Sequence, residues 1–367
     1  MRATRAIIHT DHFISNLETI RRKVGPHPAI CAAVKADAYG HGASAMSRLA
    51  LEAGASCLAV ATVSEGAELR KQGIKAKILL LSQALPEEIN EIAELYLTPL
   101  LGDRESLAAF QACVSAPLEV HLKVDTGMGR LGCRPEEAAE LAVFIRENNR
   151  LRLGGMATHL SVADYTNAEN LAYTKKQIEL FRKAVESVRD AGVDTGLVHA
   201  ANSGAICFHE ESYFDMVRPG IFLYGYSPAA SYPGGLIAKP VMELRSAITF
   251  IKKVRAGEEI SYSRTWKAEE DTYIGTLPIG YADGLPRRLS NNHSVLIRGK
   301  PYPLVGRFCM DQCMVNLGPG GEVQRWDEAV IFGPGFETAE DIARKIGAIS
   351  YEILCYVNKR VPRVYSP

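Results

Sequence analysis

The residues able to do chemistry gather where short apolar runs end. Lys35 closes "AICAAVK" and is followed by Tyr39 in "ADAYGHG"; Lys123 closes "LEVHLK" and leads to Asp125 and Arg130 in "VDTGMGRLG". His159 ends "LGGMATH", Asn202 and Ser203 follow "LVHAA", and Arg218, Gly220 and Ile221 lie in "MVRPGIFLYG". An amine in a partly desolvated site near other cations has a lowered pKa and attacks carbonyl carbon. "NSGA" and "RPGI" add small residues and free backbone N–H groups, the usual material of a phosphate cup. A nucleophilic lysine beside such a cup points to pyridoxal phosphate. Arg218, charged at any relevant pH, would keep a facing pyridine nitrogen an unprotonated acceptor.

Each residue taken alone has a plainer reading. Lys35 reads equally as a strand-end lysine whose stem covers apolar surface. His159 reads as a satisfied core histidine, Lys123 as the partner of a nearby carboxylate, and the arginines as members of structural ion pairs. The elements that carry these residues separate the readings. After a strand-like "RAIIHT" and a helical "SNLETIRRKV", short apolar runs alternate with amphipathic helical stretches: "AICAAVK", "CLAVAT", "KILLLS", "YLTPLL", "LEVHLKV", "LGGMATHL", "LVHAAN", "MVRPGIFLYG". Eight such repeats predict a closed (β/α)₈ TIM-type barrel over about residues 10–238, whose strand ends share one mouth. An open doubly wound sheet is the competing arrangement, but no GxGxxG follows the first run. From about residue 239 to 367 the pattern alternates apolar and polar with Gly/Pro turns, predicting a C-terminal mainly-β domain interrupted by one short helix, "TAEDIARKIG". Residues 1–9 are expected to pack with that second domain.

Composition narrows the function classes. The 367 residues carry 42 Lys+Arg against 42 Asp+Glu, so no long-range positive field gathers nucleic acid or anionic lipid. No apolar run is long enough for an export signal or a membrane span, and a cytoplasmic protein is expected. The eight cysteines are scattered, without a CxxC pair, and read as reduced, mostly buried thiols; no metal site is expected.

The motifs "AVKADAYGHG", "KVDTGMGRLG", "THLSVAD", "VRPGIFLYG", "ISYS", "IGYADG", "GRFCMDQ" and "RVPR" occur in the order and spacing of the alanine racemase family, which the chain closely resembles over nearly its whole length. The resemblance implies a pyridoxal-phosphate enzyme that interconverts L- and D-alanine by two bases, supplying D-alanine for peptidoglycan. It makes Lys35 the cofactor-bearing lysine and one base, and Tyr262 in "ISYS" the second base, with Arg218 and His159 as cations that support its phenolate. Tyr39, Ser203, Gly220 and Ile221 match the phosphate cup, and Asn202 stands beside them. Arg218 matches the residue facing the pyridine nitrogen, with His159 next to the ring. Arg130 and Met310 match substrate contacts, and Lys123 matches a lysine carbamylated in many members. Tyr262 and Met310 are implied to come from the partner in a head-to-tail homodimer with shared sites. Lys359, before "RVPR", stands where some members place a tyrosine at the site entrance. A racemase acting on serine or on a broad range of amino acids would keep nearly all these residues. A decarboxylase of the same fold would need no second-face base, and a non-catalytic barrel that binds the cofactor would lack the C-terminal domain.

Overall fold

The computed structural model describes residues 2–147, 149–228 and 236–367. Strand β1 (Arg5–His9) leads directly into helix α1 (Thr10–Val24). Eight parallel strands follow and close on themselves: β2 (Ala29–Ala33), β3 (Cys57–Val60), β4 (Ile78–Leu80), β5 (Leu97–Leu101), β6 (Leu118–Lys123), β7 (Leu151–Ala157), β8 (Leu197–His199) and β9 (Met216–Val217). Strands β3, β4 and β5 are buried at every position, as their unbroken apolar sequences require when helices cover one face and the barrel interior the other. The long helix Ala168–Asp190 shows the complementary pattern, burying Ile178, Phe181, Val185 and Val188 at helical spacing and leaving its charges in water. The closed barrel removes the open-sheet alternative.

The remaining strands are β10 (Met242–Ala247), β11 (Phe250–Val254), β12 (Glu259–Ile260), β13 (Trp266–Lys267), β14 (Thr272–Leu277), β15 (Ser294–Ile297), β16 (Lys300–Val305), β17 (Cys313–Gly318), β18 (Glu328–Phe332) and β19 (Arg363–Ser366). They form a nine-stranded sheet in the order β11-β14-β17-β16-β15-β18-β10-β1-β19, with β12 and β13 as a separate ribbon. Strand β1 lies inside this sheet, antiparallel to β10 and parallel to β19. The sequence pattern anticipates one helix here, and there are two: Ala339–Ile346 and Ser350–Tyr356. The second was hidden because "SYEILCY" is rich in residues that favour strands, and burial of Ile353 and Leu354 overrides that preference.

Candidate active site

Lys35 follows β2 at the mouth of the barrel, and the chain then does something unusual. Ala36, Asp37, Ala38 and Tyr39 have φ of 52°, 53°, 54° and 53°, a full turn of left-handed helix built without glycine. Each such residue costs about 1–2 kcal/mol relative to a right-handed turn, so the conformation persists only where its surroundings impose it. They do. The Ala38 and Gly40 amides donate to the Val34 and Ala36 carbonyls at 2.9 and 3.0 Å. The Asp37 side chain accepts from the Ala43 amide at 2.8 Å, and buried His41 places Nδ1 3.0 and 2.9 Å from the Ala38 and Tyr39 carbonyls. Burial holds the His41 ring neutral, its pKa lowered to about 3, so Nδ1 reaches those carbonyls only as an N–H donor. From the other domain, Arg363 donates to the Gly40 carbonyl at 2.9 Å and the Tyr365 hydroxyl to the His41 carbonyl at 3.1 Å. Burial also lowers the pKa of the Lys35 amine, and Arg130 and Arg218 push the same way.

The loop after β6 is shaped by Asp125. Its Oδ1 accepts from the Gly127, Met128 and Gly129 amides at 2.9, 2.9 and 3.1 Å, and Gly132, at φ +119°, lets the returning chain pass where a Cβ would lie 2.7 Å from the Asp125 amide. The loop brings Arg130 to the cavity. Lys123 is 7% exposed, and its Nζ donates to the Val124 carbonyl at 3.0 Å rather than to a carboxylate. Burial, with Arg218 beside it, lowers its pKa to about 8.

Opposite these cations the last two barrel loops form a cup. Asn202 caps the helix Ser203–Phe208 through the Ala205 amide, and Ser203 Oγ accepts from the Gly220 amide at 2.9 Å. A Cβ on Gly220 would lie 2.5 Å from the Tyr39 hydroxyl, so a side chain there would displace that ring. Ile221 opens a 3₁₀ turn beside it. The Ser203 and Gly204 amides, in the first turn of helix Ser203–Phe208, have no intrahelical partner and face the cup. Lys35, Tyr39, Lys123, Arg130, His159, Asn202, Ser203, Arg218, Gly220 and Ile221 thus line one cavity of about 370 Å³.

Arg218 reaches this cavity from a rigid mount. Its Nη2 donates to the Thr158 and Ala200 carbonyls at 2.7 and 3.1 Å, and its Nη1 to His199 Nδ1 at 2.6 Å. His199 Nε2 in turn lies 2.8 Å from His121 Nδ1. An arginine only donates, so His199 carries its proton on Nε2 and passes it toward His121. Sequence reading missed both histidines. The signal was there: Glu119, His121 and Lys123 alternate along β6, and period two puts all three side chains on the same face of that strand.

Two expectations change. His159 cannot support a phenolate as a cation, because burial and the charge of Arg218 lower its pKa to about 3. Lys359 does not stand at this cavity; it lies near Glu68, at 4.0 Å, in a neighbouring recess, and Tyr351 of the missed helix lines the cavity instead, its ring 6.0 Å from that of Tyr39. Tyr262 and Met310, expected from a partner subunit, lie outside this cavity within one chain. They sit on the second domain, 66% and 53% exposed. The backbone around Tyr262 is strained, with Ser261, Ser263 and Arg264 at φ 69°, 59° and 50°. Among the described residues no His/Cys/Asp/Glu cluster could hold a metal, and no helix is long and apolar enough to cross a membrane. All eight cysteines are free and five are buried.

A closed barrel with an amine and an anion cup at its mouth, joined to a β-sheet that clasps the barrel's first loop, defines a two-domain barrel enzyme. Comparison with known proteins narrows this. Residues 8–228 match the family model "Alanine racemase, N-terminal domain" and residues 241–365 "Alanine racemase, C-terminal domain". The chain is 46% identical to the alanine racemase of Treponema denticola over 374 residues, covering 100% of this chain and 98% of that one. It is 42% identical to that of Treponema pallidum subsp. pallidum over 377 residues, covering 100% of both. The solved alanine racemase of Clostridium difficile 630 superposes with a TM-score of 0.95 at 36% identity, covering 100% of this chain and 96% of that one. The Bacillus anthracis enzyme with bound L-Ala-P gives 0.92 at 33%, with the same coverage. The chain belongs to the alanine racemase family.

Proposed function

We propose that this chain holds pyridoxal phosphate covalently on Lys35 and interconverts L- and D-alanine, supplying the D-isomer for peptidoglycan. The observation that carries this reading is the convergence in one cavity of the acidified Lys35 amine, the cup at Ser203 and Gly220, and the anchored Arg218 guanidinium. The residues present fit the cofactor: the cup at Ser203 and Gly220 is built of small residues against the Tyr39 hydroxyl, and its Ser203, Gly204 and Ile221 amides suit a phosphate. When bound, the cofactor withdraws electrons and acidifies the α-C–H of an amino acid joined to it.

The chain's residues supply the rest. Tyr39, Asn202, Ser203, Gly220 and Ile221 hold the phosphate, and His159 flanks the ring as a neutral imidazole. Arg218, whose burial lowers its pKa only to about 10, stays protonated and faces the ring nitrogen as a donor, which moderates electron withdrawal. Arg130 orients the substrate carboxylate. Inversion needs a proton removed from one face of Cα and returned on the other. Lys35 would hold or move the proton on one face and Tyr262 on the opposite face, Tyr262 and Met310 both coming from a partner subunit. Exposure of Tyr262 on a strained loop suits a residue presented to another chain. Lys123, carbamylated, would brace Arg130 with negative charge. The same reading divides the chain into a cofactor-binding barrel, 10–238, and a β domain, 239–367.

The test is formation of D-isomers from a panel of L-amino acids with pyridoxal phosphate present, followed by borohydride reduction and peptide mapping. Alanine should be turned over best, and the cofactor should be fixed to the Lys35 peptide. Preference for serine or a broad range would reassign the substrate, and label on another lysine would reject the site.

A further inference from the structure

The left-handed turn after Lys35 has a further anchor in Glu65. Its Oε1 accepts from the Ala36 amide, the first residue of the turn, at 2.6 Å. Its Oε2 accepts from the Ala61 and Thr62 amides at 2.7 and 3.2 Å, and its own amide donates to Thr62 Oγ1 at 3.2 Å. The residue therefore does two separate things. It completes the capping box of helix Val63–Lys71, which half its carboxylate suffices to do. The other half reaches across to the catalytic loop, which a cap does not require.

We propose that Glu65 is a positioning residue for Lys35: one oxygen pins the Ala36 amide and so the start of the left-handed turn, and its charge tempers the cationic field around the Lys35 amine. The groups around that amine are mostly cationic, with Asp164 and Tyr351 also lining the cavity. Arg130 and Lys123 approach from β6 and its loop, Arg218 from the loop after β9, and His159, neutral, from the loop after β7. Cys355 approaches from helix Ser350–Tyr356, and Asp37, Glu68 and Lys359 line the recess on the far side of the turn. Burial is the largest influence lowering the Lys35 pKa and Arg130 the next; Glu65 is the strongest influence raising it. The inference rests on the proposed role of Lys35 for its meaning in catalysis, but the anchoring is testable without the cofactor.

The test compares Glu65→Gln, Glu65→Ala and Thr62→Ala in the full-length protein by two readouts. The first is the pH profile of Lys35 acylation in cofactor-free protein, followed by mass spectrometry of its peptide. The second is the affinity for pyridoxal phosphate, followed by visible absorbance. Glu65→Gln keeps an acceptor for the Ala36 amide but loses the charge: its Lys35 labelling midpoint should move to lower pH while cofactor affinity stays near that of the unsubstituted protein. Glu65→Ala loses the acceptor as well, and its affinity should fall by roughly tenfold or more, the usual consequence of deleting a hydrogen bond to a charged group. Thr62→Ala weakens the cap alone, and should lower thermal stability with neither readout changed. An unmoved midpoint in Glu65→Gln, or an affinity in that variant as poor as in Glu65→Ala, overturns the proposal. A missing visible band in the unsubstituted protein would instead reject the cofactor reading and leave the labelling result standing.

Discussion

At the scale of single residues, the cavity works by withholding water from cations. Lys123 is the clearest case, because its pKa of about 8 leaves a substantial neutral fraction in mildly alkaline solution. Only the neutral amine adds carbon dioxide, losing a proton as the N–C bond forms. With ¹³C-bicarbonate, a carbamate carbonyl resonance should therefore grow as pH rises through about 8 and be missing in Lys123→Ala. No resonance at pH 9 would mean that this lysine acts as a plain cation. Arg218 illustrates the opposite strategy. Its guanidinium survives burial because the Thr158 and Ala200 carbonyls and His199 accept its protons, and the tautomers of two buried histidines follow from that single donor.

At the scale of elements, the left-handed turn is the part of the site with least tolerance. Gly40 ends it at φ +82°, and a Cβ there would lie 2.3 Å from the Leu354 carbonyl oxygen of helix Ser350–Tyr356. Gly40→Ala should cost more than about 2 kcal/mol, the range of strained backbone plus overpacking, and should impair cofactor capture more than it lowers secondary-structure content. Urea unfolding and visible absorbance measure the two; equal stability to the unsubstituted protein would contradict the contact. The barrel strands were legible in the sequence because each is a short unbroken apolar run, and Lys35, Arg218 and the "NSGA" cup were legible because they sit where those runs stop. The turn itself was not: "ADAY" has no residue that prefers positive φ, and its shape is imposed by Glu65, His41, Arg363 and Tyr365, which the sequence scatters from one domain to the other. Tyr351 escaped for a related reason, since its helix is a short one with β-favouring residues that buries Ile353 and Leu354.

At the scale of the whole molecule, the proposed chemistry is divided between the two domains. Lys35 lies in a cavity of the barrel, whereas Tyr262 is exposed in the turn that joins β12 and β13. If the second base comes from a partner, Lys35→Ala and Tyr262→Phe chains are each inactive alone, but mixing them under subunit exchange should restore activity through hybrids holding one intact site. Exchange demonstrated by mass, with no activity recovered, would require each site to be built within one chain. The sheet has a second bearing on the barrel. Strand β1 pairs with β10 and β19, and the residues that grip the left-handed turn, Arg363 and Tyr365, belong to β19 itself. On the ribosome, then, the barrel sequence emerges long before the segment that shapes its reactive loop. A nascent or truncated chain that stops short of β19 carries the lysine and its barrel anchors, Glu65, Asp37 and His41, without the two contacts that Arg363 and Tyr365 add from the sheet.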